Sequence, residues 1–274
     1  MDKYNLIALD MDGTLLNSEQ IISEPVRAAI DKAVLRGKTV VICTGRSPSE
    51  LLDYEEEFRN IRYYICENGA LIYDSIEKRV IDSQTIPAEL VEELMKIAET
   101  RDVMIYIASN GQHMCTYGDV MRMEYFRLGK YKELMLRTAV LHDDMIASYR
   151  REPFPVEKLN FFSVSTESRD KLMDTLDKFP LTAVYSEETS LELSPLHMSK
   201  AAGLEKLCGY LSIPISQTIA VGDSDNDAEM LKKAGLSVAM GNARPHIKEL
   251  CDVVAADNDH DGCAEAIETY LLGL

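Results

Sequence analysis

Residues 5–17 read NLIALDMDGTLLN, an apolar run that ends on Asp10 and is followed one residue later by Asp12, then by Gly-Thr and two leucines. An apolar run without polar alternation fits a strand buried on both faces, as in parallel sheets covered by helices. Two like charges closing such a strand are costly unless something positive stands against them. The flanking sequence extends the pattern. Residues 24–36 (EPVRAAIDKAVLR) have helical spacing with Pro in the first turn, Gly37 stops them, and 39–43 (TVVIC) is a second buried strand. A helix over about 48–59, a strand at 62–66 and an Asn68-Gly69 turn into 70–74 follow. Strands separated by helices predict an α/β fold with a doubly wound, mostly parallel sheet.

Near residue 84 the pattern changes. A helix at 87–99 and strands at 103–108, 115–117 and 157–165 are expected, with a basic-aromatic stretch at 121–138 between the last two. A helix at 166–178 and short strands at 182–186 and 190–194 complete an α+β module of small-domain size. The buried-strand pattern then resumes, with strands at 217–221, 236–240 and 252–255 and helices at 199–211, 227–234, 244–250 and 262–272. The expected organisation is a core domain in two segments, 1–83 and 191–274, around an inserted domain at 84–190.

The 274-residue chain has enough sequence for a sizeable core and contains no apolar run long enough for a membrane span. The start of the chain lacks a signal-peptide pattern, because Asp10 and Asp12 interrupt its early apolar stretch. The six cysteines are scattered with no CxxC pair, which fits buried small hydrophobes in a reducing, cytoplasmic setting. A net charge of −17 opposes binding to nucleic acid or to anionic membranes. No element of the sequence specifies an oligomeric state.

Ligands of open parallel sheets gather at the carboxyl ends of the strands. Polar clusters fall at those ends: Asp10-x-Asp12, Thr44-Gly45-Arg46, the stretch around Lys200, and Gly222-Asp223-Ser224-Asp225-Asn226-Asp227. Together they offer carboxylates for a hard cation, a hydroxyl, an ammonium and an amide. Oxygen-rich carboxylate sites with open positions suit Mg²⁺, which bridges protein carboxylates to a substrate phosphate. Taken singly, each cluster has a plain structural reading as a turn, a helix cap or a solvated charge. Their joint order along the chain, each closing or following a buried strand, is what points to a site.

DMDGTLL, TGR, a lysine before a helix and GDSDND resemble the four motifs of the haloacid dehalogenase (HAD) superfamily of phosphatases. ENGALIYD (67–74), VAMGNARPHIKELCDVVAADNDHDG (238–262) and the position of the insertion are similar to the Cof-type sugar-phosphate phosphatases. The resemblance implies a Rossmann-like core and an aspartyl-phosphate mechanism. By it, Asp10 is the nucleophile and Asp12 the general acid and base. Magnesium is held by the Asp10 carboxylate, the Asp12 carbonyl and Asp223. Thr44, the amides of Gly45 and Met11, Lys200 and Asn226 bind phosphoryl oxygens, Arg46 reaches the phosphate or the inserted domain, and Asp227 orients Lys200 or a metal-bound water. The implied partner is a small phosphorylated metabolite.

One departure concerns Lys200, which relatives follow with glycine and this chain follows with Ala201; Lys206 is the nearest alternative cation. Residues 257–268 (DNDHDGCAEAIE) match a calcium-loop pattern in full, although an apparent strand precedes them instead of a helix. Arg122, Tyr125, Arg127, Lys130 and Tyr131 are candidates for choosing the leaving group, against the plain reading of an amphipathic helix with solvated charges. His113 and His260 are expected at the surface. The expected activity is Mg²⁺-dependent hydrolysis of small phosphomonoesters, with a sugar phosphomutase, a phospho-acceptor module and a non-catalytic sugar-phosphate sensor as alternatives.

Overall fold

The structure is a computed structural model and describes residues 3–274. The chain divides into two compact units. One runs up to Arg46 and includes Asp53–Ile81 and Ser199–Leu274; the other consists of Ser47–Leu52 and Asp82–Met198.

The first unit is built on an eight-stranded sheet. Its centre is Leu6–Asp10, paired in parallel with Thr218–Gly222 on one side and Thr39–Cys43 on the other. Leu236–Ala239 and Val253–Val254 continue the sheet past Thr218–Gly222, and Tyr63–Cys66, Leu71–Asp74 and Arg79–Ser83 continue it past Thr39–Cys43. The Tyr63–Cys66 and Leu71–Asp74 pair is antiparallel, which makes the sheet mixed at that edge. All residues of Leu6–Asp10 are buried, as an unalternating apolar strand requires. Leu6, Ala8, Val41, Cys43 and Ala220 pack with Ala201, Leu204, Leu207, Met230 and Leu231 from two helices, Lys200–Leu211 and Ala228–Lys233. The alternate residues Ile7, Leu9, Val40 and Ile42 are buried as well, and the helix Glu24–Leu35 and the last helical segment pack against these strands. Each such side chain contributes about 2 kcal/mol by leaving water.

The second unit has a six-stranded sheet in the order Leu181–Tyr185, Ser190–Pro195, Lys158–Ser163, Val103–Ser109, Gln112–Thr116, Val140–His142. Its pairs are antiparallel except the last, where Met114 stands beside Val140 in parallel register. Helices Ala88–Glu99, Met145–Arg151 and Thr166–Leu176 supply one apolar cluster with Ile105, Ile107, Leu159 and Phe161. Met104, Tyr106 and Phe162 pack instead with Val120, Met123 and Phe126.

Several expectations need correction. The inserted unit extends to Met198 instead of ending at 190, because Ser190–Pro195 pairs on both sides within the inserted sheet. Residues 48–59 do not form one α-helix: Pro48–Tyr54 is a 3₁₀ segment whose buried residues, Pro48 and Leu51, lie three apart, as a threefold turn demands. The stretch 121–138 is broken, with helices Tyr117–Met121 and Lys132–Thr138 separated by a turn in which Arg127 takes φ 60°. Helix 227–234 is shorter, a 3₁₀ turn Asp225–Asp227 leading into Ala228–Lys233, and the final helix passes from α into π geometry over Ala266–Leu271.

His113 is fully buried, not at the surface. Its Nδ1 lies 2.7 Å from Ser49 Oγ and 3.3 Å from Ser47 Oγ, and its Nε2 lies 3.1 Å from Thr138 Oγ1. The ring stacks on Tyr106 with centroids 5.4 Å apart. Glu50 accepts hydrogen bonds from the Ser47 amide and the Tyr106 hydroxyl at 2.8 and 2.7 Å. These contacts attach Ser47–Leu52 to the inserted unit.

Candidate active site

All four sequence clusters lie in the first unit, at the carboxyl ends of the adjacent strands Thr218–Gly222, Leu6–Asp10 and Thr39–Cys43 and at the start of the helix that begins with Lys200. Lys200 is the first residue of its helix, behind an N-cap in which Ser199 accepts from the Ala202 amide. Its side chain is fully buried, and its ammonium donates to Asp10 Oδ1 and, at 2.7 Å, to Asp227 Oδ1. The other Asp227 oxygen accepts from the amides of Asp223 and Ser224, both at 3.1 Å. Asp223 Oδ1 accepts from the Thr14 hydroxyl at 3.0 Å. Gly13 makes that approach feasible: it has φ 83°, and a Cβ there would lie 2.9 Å from Asp223 Oδ2.

Asp10, Asp223 and Asp227 each offer an oxygen within 4.8 Å of the others. Burial first, and then repulsion from Asp227, push the Asp10 carboxyl well above its usual range, with Lys200 opposing them. Burial and Asp227 raise Asp223 too, against the Thr14 hydrogen bond. Burial alone would lower the Lys200 ammonium, but Asp10 and Asp227 outweigh it and hold that group above the ordinary lysine value. Three carboxylates facing one ammonium leave an excess of buried negative charge that a divalent cation with oxygen ligands would balance. The donor set therefore fits a hard metal ion.

The carboxylate of Asp12 is not part of this cluster. It is exposed and receives two hydrogen bonds from Arg46, Nε at 3.0 Å and Nη2 at 2.5 Å. Arg46 also lies over the Tyr54 ring, 5.7 Å from its centroid. Thr44 is buried, and its hydroxyl accepts from the Arg46 amide at 3.1 Å. Met11 is buried, with its carbonyl accepting from the Leu16 amide at 2.9 Å. Asn226 is exposed in the 3₁₀ turn Asp225–Asp227, and its Nδ2 donates to Asn68 Oδ1 at 3.3 Å. The alanine after Lys200 has a simple account: Ala201 packs into the apolar cluster under the sheet. The requirement for glycine falls at Gly203, where a Cβ would come within 2.8 Å of the Gly69 Cα. Lys200, not Lys206, is the cation at Asp10.

The calcium-loop pattern does not form a cage. Asp257 pairs with His260 at 2.6 Å, Asp259 accepts from Ser18, Asp261 from Ser23 and Glu268 from Lys32. Its acidic side chains face different partners. Lys130 and Tyr131 both engage Glu187, Arg127 engages Glu188, Arg122 engages Asp119 and Tyr125 engages Asp102. The charges of Arg122, Arg127 and Lys130 are therefore answered inside the inserted unit. Sequence reasoning assigned no role to Thr14 or to Asn242, whose side chain donates to the Gly13 carbonyl at 2.7 Å. Thr14 lies within the DMDGTLL motif, and that membership was the one signal for the former.

A family model described as haloacid dehalogenase-like hydrolase matches residues 7–267. Phosphatase YwpJ of Bacillus subtilis is 31% identical, over 97% of this chain and 99% of its own. The 5-amino-6-(5-phospho-D-ribitylamino)uracil phosphatase YcsE of the same organism is 32% identical, over 97% of this chain and 96% of its own. A crystal structure of a haloacid dehalogenase-like hydrolase from Bacteroides thetaiotaomicron superposes with a TM-score of 0.84 at 27% identity, covering 97% of this chain and 98% of that one. The chain belongs to the haloacid dehalogenase-like hydrolases. Within them it is an enzyme of the phosphatase kind, a phosphoric monoester hydrolase.

Proposed function

We propose that this phosphatase is Mg²⁺-dependent and acts on phosphomonoesters of small metabolites, sugar and sugar-alcohol phosphates first among them, through an aspartyl-phosphate on Asp10. The observation that carries the reading is the buried ammonium of Lys200 between Asp10 and Asp227, with Asp223 alongside. Support for the substrate class comes from the relative named for a phosphoribityl compound.

An Asp10 oxygen attacks phosphorus, the bond from phosphorus to the leaving oxygen breaks, and Asp12 supplies the proton that the departing alcohol takes up. Asp12 then accepts a proton from the water that attacks the aspartyl-phosphate, which returns Asp10 as a carboxylate and releases phosphate. Arg46 aims the Asp12 carboxylate through its paired hydrogen bonds. Thr44, the amides of Met11 and Gly45, Lys200 and Asn226 receive the phosphoryl oxygens. Asp10, the Asp12 carbonyl and Asp223 would hold Mg²⁺, while Asp227 keeps Lys200 in place. When bound, the ion offsets repulsion between carboxylate and phosphate, worth about 4 kcal/mol per charge pair at 4 Å and an effective dielectric near 20.

The test is release of inorganic phosphate from a panel of sugar, sugar-alcohol and nucleotide phosphates and p-nitrophenyl phosphate, with Mg²⁺ and with chelator. Asp10→Asn is expected to lower turnover by at least about a thousandfold with an unchanged circular dichroism spectrum. Retained turnover in that variant would remove the nucleophile assignment, and turnover indifferent to chelator would remove the metal.

A further inference from the structure

The turn Glu67-Asn68-Gly69 reads in the sequence as an ordinary hairpin connection, and the structure makes it something else. Its residues take φ 55°, 52° and 100° in succession. The first two are not glycine, and left-handed backbone at such residues persists where the surroundings enforce it. The enforcing contacts are specific. The Asn68 amide donates to the Thr44 carbonyl at 3.0 Å and the Glu67 amide to the Arg46 carbonyl at 3.1 Å. Gly69 lies so close to the Lys200 helix that a Cβ there would come within 2.1 Å of the Ser199 carbonyl oxygen.

The Asn68 side chain turns toward two of the phosphate-binding candidates, Asn226 and Gly45. Its Oδ1 accepts from Asn226 Nδ2 at 3.3 Å. Its amide group also fills the space beside Gly45, where a Cβ would lie 3.2 Å from Asn68 Nδ2. Asn226 is held at its other end as well, since its Oδ1 accepts from Ser224 Oγ at 2.7 Å. An amide nitrogen carries two hydrogens, so the one given to Asn68 leaves the second to donate elsewhere.

We propose that Asn68 is a positioning residue for phosphoryl binding: it holds the Asn226 amide against the Thr44–Gly45 loop, so that two clusters far apart in sequence present their donors to one anion. This rests on the reading of Asn226 as a phosphoryl ligand. Asn68 itself acts through Asn226.

The experiment is a double-mutant cycle with Asn68→Gly, Asn226→Ala and the pair, on the full chain with Mg²⁺ present. Glycine accommodates φ 52° without strain, so the substitution removes the side chain and spares the turn. The readouts are the inhibition constant of inorganic phosphate, KM and kcat for p-nitrophenyl phosphate, and the melting temperature. Each single variant is expected to weaken phosphate inhibition and raise KM by about fivefold, the size of one net hydrogen bond. The double variant is expected to be no worse than Asn226→Ala alone, because the Asn68 effect passes through Asn226. Additive losses, or an Asn68→Gly variant with unaltered phosphate inhibition while Asn226→Ala is impaired, overturn the proposal and leave the phosphoryl reading standing. An Asn226→Ala variant equal to the parent removes that reading and the proposal together.

Discussion

Lys200 shows how far one side chain can serve both stability and chemistry. Its ammonium has no exposure and bonds two carboxylates, Asp10 at the end of one strand and Asp227 in the turn that follows another, so removing it strands both as buried like charges. Lys200→Met keeps the length of the stem and deletes the charge. It is expected to cost about 3–5 kcal/mol of stability, the usual cost of breaking a buried pair, together with turnover. Urea denaturation checks the first and phosphate release the second; a stability loss under 1 kcal/mol would mean that water or ions compensate the carboxylates. At this same scale the sequence was a good guide to which residues gather and a poor one to how they pair. Asp10, Lys200, Asp223 and Asp227 are all legible from motif order. That Asp12 faces Arg46 while Asp227 joins the acidic cluster depends on side-chain directions that spacing does not encode.

Among the elements, the strands buried on both faces were the most legible, since a continuous apolar run has few other destinations, whereas the edge strands Arg79–Ser83 and Val140–His142 carry no such run. Helical segments were less so where packing offers only one turn of apolar contact, as at Pro48–Tyr54. That segment is held by His113, and the imidazole there makes its attachment sensitive to pH. Burial pushes the His113 pKa below the ordinary value of 6.5; Glu50 opposes that shift and Lys158 adds to it. Below about pH 6.5 the unfolded chain binds a proton that the folded chain refuses, so this contribution is complete above that pH and declines as pH falls toward the folded pKa, by at most about 1.4 kcal/mol per pH unit. Melting curves at pH 7.5 and 5.5 should therefore show a larger drop for the parent than for His113→Gln. Equal drops would assign the acid sensitivity to carboxylates elsewhere.

For the molecule as a whole, the charge of −17 and the acidic cluster act in the same direction. A divalent cation that binds the folded chain alone stabilises it by mass action, about 2.7 kcal/mol at a hundred times its dissociation constant. Chelator-treated protein is thus expected to melt at a higher temperature when Mg²⁺ is added, beyond the effect of sodium chloride at equal ionic strength. Asp223→Ala should lose that increment. A variant that keeps the full increment would place the cation outside this cluster. Among the described residues no helix is long and apolar enough to cross a membrane, in keeping with the absence of any long apolar run.

What the sequence determined by itself was local: which runs become buried strands, where helices start, and that polar clusters close those strands in a fixed order. These follow from periodicity, caps and glycine positions within short windows, where neighbours along the chain are neighbours in space. The tertiary structure decided the rest. It buried His113, dispersed the acidic residues of 257–268 onto Ser18, Ser23 and Lys32, set the end of the inserted unit at Met198, and set Asn68 against Asn226. Those outcomes join residues far apart in the chain, and only the order of strands in the sheet brings such residues within reach of one another.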